Sequence, residues 1–142
     1  ANALLSFLYT LLAHDCATAL LAAGLDPQLG FLHRDRPGRP SLALDLMEEL
    51  RPLLADRLAI ALLNRRQLTA KDFAVDPTHA HRLADDARKT LLAAWQERKK
   101  TTIAHPYTRE SIPLGLIPFT QATLLARHLR GDLDDYPPLI WR

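Results

Sequence analysis

The 142-residue chain has one cysteine, one methionine, nine aromatic residues (6%) and a nearly balanced charge. Each scarcity excludes something. A lone cysteine, Cys16, cannot form an internal disulfide, so the chain gains no argument for secretion and suits a reducing cytoplasm. Eighteen basic against sixteen acidic residues leave a formal charge of +2. A nucleic-acid partner is then possible only through a local patch, not through bulk charge. Neither an internal repeat nor a low-complexity stretch occurs. No basic segment precedes the apolar run from Leu4 to Ala23, as a signal peptide would require. The first residue is Ala1, not Met, which reads as the start of an excised fragment.

What the chain does have is apolar mass: 48% hydrophobic and 24% charged residues, the balance of a folded globular protein. A single domain of this size buries roughly two thirds of its unfolded surface. The run from Leu4 to Ala23 is long enough to span a membrane, but His14 and Asp15 interrupt it. A charge at that depth costs on the order of 3 kcal/mol, so a buried helix is the expectation. Asn2 is its candidate N-cap and Gly24 its stop, with leucine and alanine nearly all round. Such a surface predicts covering or self-association.

Gly24-Leu-Asp-Pro turns the chain, and residues 28–40 form a loop rich in Gly, Pro and Arg. Ser41 is the next N-cap, opening a helix to Leu50 that Pro52 kinks or interrupts before a further helical run to Leu63. Residues 72–83 read as a small β-hairpin, and Asp85 to about Thr101 as a helix with Leu91, Ala94 and Trp95 inward. A last helix is expected to begin at Ser111-Ile-Pro, bend at Pro118 and stop at Gly131. The fold class is all-α: one mainly helical lobe over residues 1–142.

Chemistry concentrates between His33 and Pro52. At about 100° per residue, Asp45, Glu48 and Glu49 fall within one arc, beside an apolar arc of Leu42, Leu46, Leu50 and Leu53. Arg51 lies within reach of Glu48 but too far round to neutralise all three, so the acids repel one another unless a cation intervenes. Mg²⁺ or Mn²⁺ suits that demand, and Mn²⁺ also takes an imidazole, which His33 offers on the preceding loop. Spacing alone favours the plainer alternative, a solvated acidic face near a helix N-terminus.

At this stretch the chain resembles the CRISPR-associated endonuclease and integrase of the adaptation module. Asn2-Ala-Leu-Leu-Ser-Phe-Leu-Tyr, Gly24-Leu-Asp-Pro-Gln-Leu-Gly-Phe-Leu-His, Gly38-Arg-Pro-Ser-Leu-Ala-Leu-Asp-Leu-Met-Glu-Glu-Leu-Arg-Pro and Ile112-Pro-Leu-Gly-Leu-Ile-Pro-Phe look like its catalytic-domain blocks, in order. The ending Leu129-Arg-Gly-Asp-Leu-Asp-Asp-Tyr-Pro-Pro is most similar to the type I-C version. The resemblance implies a divalent metal, Mg²⁺ or Mn²⁺, held by His33, Glu48 and a glutamate upstream of the first block. Asp45 would sit beside them as a catalytic residue. It implies phosphoryl transfer on DNA, with a 3′-hydroxyl attacking a repeat phosphodiester during integration or water attacking during nuclease action. It also implies a homodimer, a small CRISPR-associated partner protein and an amino-terminal β-rich domain beyond these residues. Lacking the upstream ligand, the chain alone is expected to be nearly inactive.

Arg34, Arg36 and Arg39 flank His33 and suit DNA phosphate beside the ion, or equally ordinary solubility. Arg98, Lys99 and Lys100 extend that track or simply complement a helix C-terminus. His79 and His81 fit a surface hairpin better than a metal pair, and Trp95, Trp141 and Cys16 fit packing. Ser6 and Tyr9 lie in the first block without an assigned step. The rival reading is a non-enzymatic helical interaction module that docks a protein on its apolar first helix.

Overall fold

The computed structural model describes residues 2–28, 41–68, 73–75, 81–83 and 85–139, with only the backbone of Asn2, Ser41 and the segments 73–75 and 81–83. Among the described residues five helices carry the architecture: α1 (Asn2–Ala22), α2 (Ser41–Arg51), α3 (Arg57–Asn64), α4 (Asp85–Lys99) and α5 (Ile117–Leu129). Two short antiparallel hairpins complete it, β1–β2 (Phe73–Val75 with His81–Leu83) and β3–β4 (Thr102–Ala104 with Ser111–Pro113).

α1 is the central helix, packed against α2 and α5. Leu4, Leu8, Leu12, Cys16 and Leu20 recur every four residues and are all fully buried, the spacing that puts one row on one face. Its apolar composition hides a polar row on the other side, which corrects the expectation of an apolar cylinder. Ser6, Thr10, His14 and Thr18, also four apart, are exposed. The Thr10 and Thr18 hydroxyls donate to the carbonyls of Ser6 and His14 at 2.9 and 3.0 Å. A hydroxyl satisfied by its own helix disguises polarity within a helical run. α1 remains long and apolar enough to cross a membrane by composition, yet its leucine row faces the protein core. Asp15 pairs with Lys99 of α4 at 3.1 Å, while His14 points to solvent.

Gly24 ends the helix with φ +81°, and the Leu25 amide bonds the Leu20 carbonyl at 2.8 Å. That is the left-handed cap glycine provides without a Cβ penalty. No atom would crowd an added Cβ there, so Gly24→Ala should cost only the backbone strain, about 1 kcal/mol. Thermal melting of the variant checks this; an unchanged midpoint would mean that the cap is not left-handed.

Pro52 does not break the helix. Having no N–H, it deprives the Glu48 carbonyl of its α-helical donor, and residues Pro52–Asp56 widen into a π-helical turn with the Arg57 amide bonded back to the Pro52 carbonyl. Helix α2, this turn and α3 therefore run on without a gap, and Leu53, Leu54 and Ala55 stay buried. Such turns cluster at functional sites.

The hairpin expected over 72–83 is present, paired Phe73 with Leu83 and Val75 with His81. The second hairpin corrects the sequence reading of the last helix. Ser111-Ile-Pro is strand β4, paired with Thr102–Ala104. A short 3₁₀ turn (Leu114–Leu116) follows, and α5 starts only at Ile117, with Pro118 in its first turn where a missing N–H costs nothing. Leu91 and Trp95 of α4 are buried as expected, Ala94 partly so.

Candidate functional site

The acidic cluster on α2 does not form one solvated face. Glu48 is exposed, Asp45 is 7% exposed and Glu49 turns into the protein. The three carboxylates are turned to three different surroundings. Asp45 helps line a pocket of about 360 Å³ with Leu42, Leu46, Leu125, His128 and Tyr136. Glu48, one turn further along α2, looks outward. Arg51 is engaged by Asp56 and Tyr9. Its guanidinium lies 3.9 Å from Asp56 and stacks over the Tyr9 ring at 5.4 Å. The Tyr9 hydroxyl in turn donates to Asp56 at 2.5 Å, so this first-block tyrosine braces the π-helical turn below Glu48.

Glu49 has instead become the centre of an internal network. The Tyr136 hydroxyl lies 2.8 Å from both of its oxygens and donates to the carboxylate, as do the Leu139 amide at 3.0 Å and the Gln121 amide nitrogen at 2.9 Å. The Gln121 Nε2 also reaches the Tyr136 oxygen (2.7 Å) and the Pro137 carbonyl (3.1 Å). His105, 2% exposed, completes the chain. Its Nδ1 accepts from the Tyr107 and Thr108 amides at 3.0 and 3.1 Å, so Nε2 carries the hydrogen and donates to the Gln121 Oε1 at 2.6 Å. Four elements distant in sequence are thereby tied to one carboxylate: α2, the β3–β4 turn, α5 and the segment after it. Burial pushes the Glu49 carboxyl above its ordinary value against the opposing pull of its donors, the Leu139 amide, Tyr136 and Gln121. Burial, then the adjoining Glu49 charge, pushes the Tyr136 phenol up. None of Gln121, Tyr136 or His105 stands out in the sequence. The available signal was Gln121 itself, a polar residue on the buried row Ile117, Gln121, Leu125.

His33, Arg34, Arg36, Arg39, His79 and Trp141 lie outside the described residues, and of His81 only the backbone is described. Of the expected site residues the described ones include Asp45 and Glu48, which lie on one helix but face a pocket and the solvent respectively. Among the described residues no group of three or more His, Cys, Asp or Glu side chains is placed to hold a metal ion. Two carboxylates one turn apart match the oxygen preference of Mg²⁺ and Mn²⁺ but are an incomplete ligand set without a donor from elsewhere.

Residues 1–97 match the family model for CRISPR associated protein Cas1. The chain belongs to the Cas1 family. A CRISPR-associated endonuclease Cas1 of Rhodospirillum rubrum is 68% identical over 141 residues, covering 99% of this chain and 41% of that protein. The Cas1 chain thus spans about two fifths of that relative. Its fold matches a casposase bound to an integration product with a TM-score of 0.84, at 26% identity over 94% of this chain and 38% of the other. It also matches a chain of a partial Cas6-RT-Cas1–Cas2 complex with a TM-score of 0.76, at 26% identity over 99% and 41%. The small-hairpin, mainly helical architecture is therefore a Cas1-like fold.

Proposed function

We propose that this Cas1 chain is the helical, carboxy-terminal lobe of the catalytic domain of a type I-C-like CRISPR adaptation integrase. That enzyme is a metal-dependent DNA endonuclease that inserts new spacers by phosphoryl transfer in the prokaryotic cytoplasm. The observation that carries the reading is the arrangement on α2: Glu48 exposed and Asp45 one turn before it at the wall of a pocket, both within about fifteen residues after His33 in the sequence. His33 and Glu48 hold Mg²⁺ or Mn²⁺, with Asp45 beside them, and Arg34, Arg36 and Arg39 hold DNA phosphates. Bound there, the ion supplies Lewis-acid stabilisation of charge on the phosphate oxygens. The chain's own part is positioning. The Glu49 network and the Tyr9–Asp56–Arg51 brace fix the rotation of α2 and hence the direction of Glu48.

The DNA substrate is supported by the casposase neighbour, seen with an integration product, and a small adaptation partner by the neighbour that contains Cas2. A homodimer completes the assembly. In the family this chain resembles, the third ligand is a glutamate upstream of the Asn2-Ala-Leu-Leu block. Calorimetric titration of Mn²⁺ into the chain at neutral pH should show weak binding that a His33→Ala, Glu48→Ala double variant loses. Equal binding by both proteins would sink the assignment, as would robust nuclease activity that survives His33→Ala.

A further inference from the structure

The basic residues of α3 and α4 face one another across a cleft of about 320 Å³. Arg65, Gln67, Glu97, Arg98 and Thr101 form its polar wall, and Leu58, Leu62 and Ala94 lie behind. Arg57, Ala61 and Arg65 are four residues apart, so they share one face of α3 over about 12 Å. Glu97, the carboxylate of the cleft, is paired with Lys100 at 3.4 Å. Among the described residues no carboxylate pairs with Arg57 or Arg65. In a chain whose formal charge is only +2, that is a local excess of one sign.

Arg98 makes the cleft more than a solvated basic rim. Its Nη2 donates to the Leu53 carbonyl at 2.9 Å, which fixes the side chain, while its buried Nε–H has no acceptor. Burial, and then the like charge of Arg57, bear on its guanidinium. A helix C-terminus would account for cations at Arg65 and Arg98. It does not account for Arg57, which sits in mid-helix directly after the π-helical turn.

We propose that this cleft is a phosphate-binding notch for the backbone of duplex DNA, lined by Arg65 at the end of α3 and Arg98 of α4 and extended by Arg57, which lies outside the cleft lining on the same helix face and close enough to act on Arg98. Guanidinium forks suit phosphate oxygens, Gln67 and Thr101 add neutral polar groups at the rim, and 12 Å of helix reaches more than one phosphate of a strand, about 3.4 Å apart along the axis. The notch rests on the reading that this chain acts on DNA, and it lies on other elements than Asp45 and Glu48. It would hold DNA without reading its sequence, since phosphate contacts position rather than specify.

Fluorescence anisotropy with a labelled 30-base-pair duplex of arbitrary sequence, across a salt series, tests this. Arg57→Gln with Arg65→Gln removes two exposed charges and spares the structural Arg98. Lys89→Gln with Arg127→Gln makes the same charge change elsewhere on the surface. The notch variant should bind the duplex about tenfold more weakly at 0.1 M salt and lower the slope of log K against log salt by about two, roughly 0.9 for each phosphate no longer neutralised. The control should change little, and both should keep the parent melting temperature. Equal loss in notch and control variants would overturn the notch in favour of net charge. So would unchanged binding, or no binding by the parent at low salt. If the notch variant loses affinity for poly-glutamate but keeps it for the duplex, an acidic protein is the ligand and the proposal fails. Failure of the metal reading shows separately, as Mn²⁺ binding indifferent to His33 and Glu48.

Discussion

Glu49→Ala should destabilise the chain by about 3 kcal/mol or more, while Glu48→Ala, one residue earlier on the same helix, should stay within about 0.5 kcal/mol. The difference follows from what each carboxylate leaves behind. Removing Glu49 strands the Tyr136 hydroxyl and the Leu139 amide, while the Gln121 amide keeps the Tyr136 oxygen and the Pro137 carbonyl as acceptors, and a buried donor without an acceptor costs about 1–3 kcal/mol. Glu48 is exposed, so water replaces its contacts. At this chain length about 3–4 °C of melting temperature accompanies each kcal/mol, so the Glu49 variant should melt about 10 °C lower, read by circular dichroism. Equal shifts for the two glutamates would mean that the network is not formed.

The same group carries a pH signature with a definite sign. Burial raises the folded-state pKa of Glu49 above its ordinary 4.5, so the folded chain holds this proton more tightly than the unfolded one. Its contribution is fully present below about pH 4.5 and is lost as pH rises through the raised folded value. Glu49→Gln deletes that contribution and leaves the other titrating groups in place. The stability of the parent relative to Glu49→Gln should therefore grow as pH falls from neutral towards 4.5, in paired urea titrations. A relative stability that shrinks on acidification would reverse the sign of the shift and make donor bonding, not burial, dominant.

Features local in sequence were legible in it. The helical run of α1, the Gly24 stop, the Ser41 helix and the 72–83 hairpin each declare themselves locally, because periodicity and turn chemistry are short-range properties, whereas the single buried face of α1 was read as an apolar surface nearly all round. Pro52 was legible as a disturbance but not as a π-helical turn, whose continuation depends on burying Leu53, Leu54 and Ala55. The β3–β4 hairpin was not legible. Its strands are three residues each, too short for an alternation, and its turn places Arg109 at φ +63° where a glycine would have signalled it. Glu49 could not be separated from Asp45 and Glu48 by helical angle, since its partners lie 72 to 90 residues away. The acids were correctly located on α2, but their division into an outward residue, a pocket residue and an internal anchor is a tertiary fact. The resemblance located candidate ligands where spacing alone favoured plain solvation.

Leu12→Ala should be as costly as the loss of Glu49, about 2–5 kcal/mol, for a different reason. Leu12 is fully buried, in the middle of the row that α1 presents to the core. Its truncation loses the transfer free energy of the removed carbons and leaves a cavity that neighbouring helices can close only in part. Leu21, on the same helix but 65% exposed, should tolerate alanine within about 0.5 kcal/mol. The pair separates a helix that is apolar by composition from one that is buried on a single face. If α1 were covered all round in this chain, by self-association or by a second protein, both leucines would be interior and both substitutions would cost several kcal/mol. Urea unfolding of the two variants at several protein concentrations decides it. A large, concentration-dependent loss for Leu21→Ala would put a partner on the outer face and overturn the single-faced assignment, whereas a loss confined to Leu12→Ala fixes the core where the four-residue leucine spacing puts it.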